Sequence, residues 1–136
     1  MNLKLAFPIW PVVNISTSLS SLNEKKLKKA ISFERYDSQA HKLVDQPIQR
    51  ALIDKWAKKN NAEIIKRFET VAPADGIFES ESWKELKAFA ADRTLQIKSV
   101  VTARFSVLVH EDIFSTMEMA EYFENRGIRM DLASKE

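Results

Sequence analysis

The 136-residue chain contains no cysteine and only two glycines, Gly76 and Gly127. The first absence excludes disulfide frameworks, thiolate zinc sites, iron–sulfur clusters and cysteine nucleophiles. The second is equally restrictive. Average usage would supply about nine or ten glycines, and both the Gly-x-Gly-x-x-Gly dinucleotide loop and the Walker phosphate loop need several within a few residues. Any phosphate must therefore be held by side chains or helix N-termini. Histidine is scarce too: His41 and His110 are far apart and neither has a partner at ligand spacing. A His-rich transition-metal site is excluded, whereas an oxygen-donor site for a hard cation stays open. Nothing in the sequence asks for a cofactor. No apolar run approaches the ~18–20 residues of a membrane-spanning helix, and the longest, 5–13, is broken by Pro8 and Pro11. Those prolines and the missing small-residue cleavage pattern argue against a signal peptide. The chain reads as cytoplasmic, with no membrane partner. Nor is there an excess of one charge: 21 Lys and Arg face 19 Asp and Glu, a net +2 that creates no strong overall field.

What is present suits one water-soluble domain, 45% hydrophobic and 29% charged, of a length that folds around a single core without staples. Residues 1–27 differ from the rest. An apolar, proline-punctuated piece (LKLAFPIWPVV) precedes a Ser/Thr-rich stretch (NISTSLSSLN) and a basic run (EKKLKK). This part reads as an extension docked through Phe7, Ile9 and Trp10, followed by a linker. From Lys28 onward, short apolar runs alternate with amphipathic windows. Strands are predicted over 28–33, 62–68, 94–101 and 128–132, and helices over 46–61, 80–92 and 112–126. Pro47 suits a first helical position, Ser80 an N-cap and Gly127 the residue after a helix end. Asp37, Ser38, Gln39 and His41 are expected in a polar loop, and residues 69–79 in another. The order β–α–β–α–β–α–β predicts an α/β fold with a mainly parallel sheet and helices on its faces. Working sites in such sheets lie beyond the strand C-termini, which directs attention to the residues after Phe33, Phe68 and Val101.

There the text AISFERYDS, then IQRALIDKWAKKNN, then AEIIKRFET resembles the catalytic domain of the serine site-specific recombinases, the resolvase/invertase family. That family runs a strand into Tyr-x-Arg-Val-Ser, then a helix from Glu-Gln-Arg to Ala-x-x-Asn-Gly, then a strand closing in Phe-x-Asp. SESWKEL resembles its Arg-Pro-x-Leu helix start. IKSVVTARFSVLVHED resembles its third strand and Asp-Arg-Leu-x-Arg turn, and MEMAEYFENRGIRMDLAS the helix and strand that follow. The resemblance covers 28–134. It implies a three-layer α/β/α domain over 28–136 lacking the family's long dimerisation helix and DNA-binding domain. It also implies an ancestral phosphoryl-transfer chemistry, in which a serine hydroxyl attacks a DNA phosphodiester while arginines neutralise the developing charge.

The equipment for that chemistry is incomplete. Arg35 matches the family's first active-site arginine, but the nucleophile position is Asp37, an anion that repels a phosphate. Ser38 is adjacent, yet a one-residue shift would turn its hydroxyl away. The arginine before the second long helix falls on Trp83. The third-strand arginine pair falls on Val107 and His110, or on Leu108 and Glu111 if the turn is aligned one residue later. Gln49 and Arg50 match the polar pair of the first helix or form a solvated helix edge. The resemblance thus implies a degenerate site without DNA cleavage, in a domain that acts in a recombination or mobile-element setting by binding itself, a recombinase subunit or a DNA-associated complex. The alternative is a residual phosphoryl-transfer or metal-binding enzyme in which Asp37, with Asp45 and Asp75 in nearby loops, holds Mg²⁺. Arg35, Gln49, Arg50, Met119 and Tyr122 are the candidate contacts with DNA or a partner. Met117 and Phe123 are expected to face the sheet, with Met119 and Tyr122 off that stripe. Trp56, Trp83 and Phe89 are expected as core anchors. Two lysine-rich runs, Lys25, Lys26, Lys28 and Lys29, and Lys55, Lys58, Lys59, Lys66 and Arg67, are read as solvated faces balanced by Glu24, Asp54 and Glu63.

Overall fold

In a computed structural model, residues 27–73, 75–108 and 113–134 are described. The N-terminal segment 1–26 and His110 lie outside them, as does the docking through Phe7, Ile9 and Trp10. Four strands, β1 (Lys28–Tyr36), β2 (Ala62–Val71), β3 (Ile97–Thr102) and β4 (Arg129–Leu132), alternate with three helices, α1 (Gln39–Lys59), α2 (Glu81–Ala90) and α3 (Ile113–Glu124). The strands form one sheet in the order β2-β1-β3-β4, and every neighbouring pair is parallel. The chain steps outward from β1 to β2, then crosses back to β3 and β4. With right-handed crossovers this reversal puts α1 on one face and α2 and α3 on the other. It also places a topological switch point between β1 and β3, where the crevice at the strand C-termini opens.

The two faces are filled differently. Ile31, Phe33, Phe68, Val100, Trp83, Leu86 and Phe123 form the main core under α2 and α3. Trp83 is its centre, edge-on to Phe33 at 4.9 Å and to Phe123 at 6.1 Å between ring centroids. Its indole N–H has no acceptor among the described residues. Under α1 the apolar cluster is small, Ile53, Val101 and Ala103 with Leu52, Trp56 and Ile64 against it. Trp83, Trp56 and Phe89 all join these cores as expected.

Several boundaries move. The loop expected after Phe33 does not exist: β1 runs on to Tyr36, Ser38 caps α1 by accepting from the His41 N–H, and the helix starts at Gln39. Asp45 is accordingly a helical residue. Pro47 lies inside α1 rather than at its start, on the exposed face, where it removes one i→i−4 hydrogen bond from the helix. The buried stripe of α1 is Asp45, Gln49, Ile53 and Ala57, with Ile48 turned to solvent. Hydrophobic periodicity alone misplaces this face because half of its inward residues are polar. Strand β2 extends to Val71, and β3 starts at Ile97 because 93–95 form a 3₁₀ turn ended by Gln96 in the left-handed region. Phe123 is buried as expected, but Met117 is exposed, whereas Met119 and Tyr122 pack against the main core. Gly127 follows α3 with φ +77°, the left-handed C′ position that favours glycine.

Candidate functional site

The C-terminal ends of β1, β2 and β3 and the first turns of α1 bring together a dense polar cluster. Arg35 points from the end of β1 beneath the turn that follows β3. Its Nε donates to the Val107 carbonyl at 2.9 Å, Nη2 to the Ser106 carbonyl at 3.1 Å, and Nη1 to the Ala72 carbonyl at 3.1 Å and to the Asp37 carboxylate. The side chain is only 11% exposed. The guanidinium beside it holds the Asp37 carboxyl below the usual carboxylate range. Val107 therefore enters the site through its backbone, while its side chain is buried in the core.

Beside Arg35, the first helix supplies a second layer. Gln49 Nε2 donates to the Arg35 carbonyl at 3.0 Å and to Asp45 at 2.7 Å. Arg104, just past β3, clasps both Asp45 oxygens at 3.3 and 3.4 Å. Burial pushes the Asp45 carboxyl up, but the donors Gln49 and Arg104 outweigh it and the net direction is down. His41 Nδ1 accepts from the Asp37 N–H at 3.2 Å, and its Nε2 lies 3.8 Å from Asp45.

A third group lies between α1 and the sheet. Glu34, fully buried, accepts from the Tyr36 hydroxyl at 2.6 Å and from Arg50 Nε at 3.1 Å. Arg50 also reaches Glu69 at 3.2 Å, and Glu69 receives Lys42 and Gln46. Burial and the Glu34 charge raise the Tyr36 phenol far above its ordinary value, so it stays a protonated donor. Burial alone would lower the Arg50 guanidinium, yet Glu34 and Glu69 raise it.

Of the residues expected at the site, Arg35, Asp37, Gln49 and Arg50 converge. Gln49 and Arg50 are not a solvated edge: Gln49 is buried and Arg50 bridges two carboxylates. Trp83 sits in the core instead of the site, and Met119 and Tyr122 belong to the α2/α3 face. The expected aspartates do not assemble: among the described residues, no three His, Asp or Glu side chains are placed to hold a metal ion. Sequence reasoning missed Glu34, Tyr36, Lys42, Gln46, Glu69 and Arg104. Arg104 lies within reach of such a reading, two residues past a strand end that faces the switch point. The alternation of β1 offered a signal for the first two, with Glu34 and Tyr36 on the face that Ala30 and Ser32 turn toward α1.

No protein-family model matches the chain, and no curated protein does. The fold itself is that of a serine-recombinase catalytic domain, an α/β resolvase-like arrangement. The chain is similar to the crystal structure of the C-terminal catalytic domain of ISC1926 TnpA, an IS607-like serine recombinase. The similarity has a TM-score of 0.66 and 14% sequence identity over 79% of this chain and 69% of that one.

Proposed function

We propose that this is a recombinase-like domain that does not cleave DNA and acts by binding, as a homo-oligomer or on a recombinase subunit, within a cytoplasmic recombination or mobile-element complex. The observation that carries this reading is the commitment of the site's guanidiniums. Arg35 is spent on three carbonyls and Asp37, Arg50 on Glu34 and Glu69, and Arg104 on Asp45. A cation already neutralised at hydrogen-bond distance has little left for a phosphate whose charge grows in the transition state. No hydroxyl stands at the nucleophile position, which Asp37 occupies, and the neighbouring Ser38 is engaged as the helix cap. Losing even one stabilising group from such a site typically costs factors of ~10²–10³ in rate.

Binding to protein is supported by exposed apolar side chains in the early turns of two helices, Leu43 and Val44 on α1 and Ile113 and Met117 on α3. The test of silence is incubation with supercoiled DNA carrying candidate recombination sites, followed by denaturing electrophoresis. No covalent protein–DNA adduct is expected. An adduct lost in Ser38→Ala but kept in Asp37→Asn would overturn the proposal.

A further inference from the structure

Lysines from two runs that are separate in sequence, Lys58 and Lys59 from one and Lys28 and Lys29 from the other, meet at the opposite edge of the sheet, where the strands begin and the helices end. Lys58 and Lys59 close α1, and two residues later the Asn61 carbonyl accepts the Lys28 N–H at 3.0 Å. Lys28 and Lys29 open β1, and Lys29 is in register with Ile97, the neighbour of Lys98 on β3. Next to Lys98 lies a cleft of about 470 Å³ between the α2–β3 and α3–β4 connections, lined by Arg93, Gln96, Lys98, Asn125 and Arg126, with the carboxylate of Asp92, among others. The band is therefore continuous from the end of α1 to the end of α3.

All six of these cations, Lys28, Lys29, Lys58, Lys59, Arg93 and Lys98, are exposed, and no described carboxylate lies within ion-pair distance of any of them. Arg126 is held in place: its guanidinium stacks 3.7 Å from the Tyr122 ring and donates one N–H to the Tyr122 carbonyl at 2.8 Å. The carboxylates at this edge are Glu63, Glu124 and Asp92, and Asp92 already accepts from the Thr94 N–H and hydroxyl. Helix dipoles account for the lysines in the last turn of α1. They do not account for Lys28, Lys29, Arg93 and Lys98, which belong to strand starts and a 3₁₀ turn.

From this layout we infer that the strand N-terminal edge is a binding surface for the phosphate backbone of nucleic acid. A near-zero net charge conceals it because acidic side chains elsewhere, Asp75, Glu79, Glu85, Glu118 and Glu121 among them, offset these cations in the sum. A row of lysines leading into a cleft with a stacked arginine fits a string of phosphates, with Gln96 and Asn125 as neutral donors beside them. A lipid surface fits less well, because the exposed large apolar side chains, Leu43, Val44, Phe105, Ile113, Phe114 and Met117, lie toward the opposite edge and would not enter a membrane facing this one. This inference is independent of whether the Arg35 site cleaves.

The test is fluorescence anisotropy of a fluorescein-labelled 20-base-pair duplex of mixed sequence, titrated with the full chain over a salt series. The expected result is salt-sensitive binding. Lys29→Gln, Lys98→Gln and Arg126→Gln should each weaken affinity by roughly 3–10-fold and lower the salt slope by about 1. Lys84→Gln, which removes the same charge from the opposite end of α2, should change affinity less than about twofold. Each variant substitutes a surface side chain, and circular dichroism melting verifies that it is folded. Equal weakening by Lys84→Gln would reduce the effect to net charge and overturn the inference. So would absent duplex binding at 50 mM salt, or binding only to vesicles containing phosphatidylserine. Duplex binding without a covalent adduct upholds both this inference and a silent site, whereas an adduct with unchanged affinity in the three edge variants would overturn both.

Discussion

The two faces of the sheet solve the same packing problem by different means. Under α2 and α3, aromatic and aliphatic side chains interlock around Trp83, and the contribution of each follows from the area it removes from water. Under α1, only Ile53, Val101 and Ala103 form a buried apolar cluster, and Glu34, Asp45 and Gln49 take interior places that hydrocarbon would otherwise fill. A buried carboxylate is tolerable when its partners are complete. Glu34 meets that condition through Tyr36 and Arg50, and Asp45 through Gln49 and Arg104. The apolar face makes the domain stable, while the polar face makes one end of it chemically particular. The same end carries the site because the switch point between β1 and β3 opens there.

The sharpest way to break this contrast is at its two centres. Trp83→Ala should destabilise by about 3–5 kcal/mol through lost burial and a residual cavity, measured by urea unfolding, with a penalty that stays constant from pH 4 to 8. Glu34→Ala should cost about 3 kcal/mol, because it leaves the half-buried Arg50 without its nearest carboxylate and Tyr36 without its acceptor. Parent-like stability in Glu34→Gln would mean that shape and hydrogen bonding, not charge, hold this face together.

Why one face was legible in the sequence and the other was not follows from the same difference. Trp83, Leu86 and Phe89 announce their stripe at helical spacing, and Ser80 marks its start, so α2 was placed to within two residues. The α/β order and the resolvase-like architecture followed from such periodicities together with the resemblance. On α1 the inward stripe begins with Asp45 and Gln49, which hydropathy assigns to solvent, and so the helix was started seven residues late. Likewise Arg35 and Asp37 were found by their spacing, whereas Arg104 and Glu69 come from strands distant in sequence and only folding brings them near α1. Lys28 and Lys29 against Lys58 and Lys59 are the same kind of case, harmless separately and adjacent only because β1 starts beside the end of α1.

Acid should separate the faces further. The Asp45 carboxyl titrates below its ordinary value in the folded chain, so on lowering the pH the unfolded chain takes up this proton first. Its stabilisation is present above the unfolded value of about 4 and is lost as pH falls through the folded value. Asp45→Asn should cost about 1–3 kcal/mol at pH 7. The gap to the parent should close between about pH 5 and pH 2, whereas the gap for Trp83→Ala should not. Parallel stability curves for Asp45→Asn and the parent across that range would show that the Arg104 clasp contributes nothing.

Asp37 should matter least for stability and most for interpretation. Its carboxyl is depressed by the Arg35 hydrogen bond, the same sign as Asp45, but the side chain is 65% exposed and water screens the pair. Asp37→Asn should therefore cost under about 1 kcal/mol. Arg35 would still donate to the carbonyls of Ala72, Ser106 and Val107, three acceptors that no single substitution at position 37 removes. If those carbonyls hold the guanidinium, Asp37→Asn should bind inorganic phosphate no better than the parent in isothermal titration calorimetry. Millimolar phosphate binding gained by the variant would place the closure of the site in one aspartate. The absence of any gain would place it in the turns after β2 and β3, whose carbonyls have taken the donors a phosphate would need.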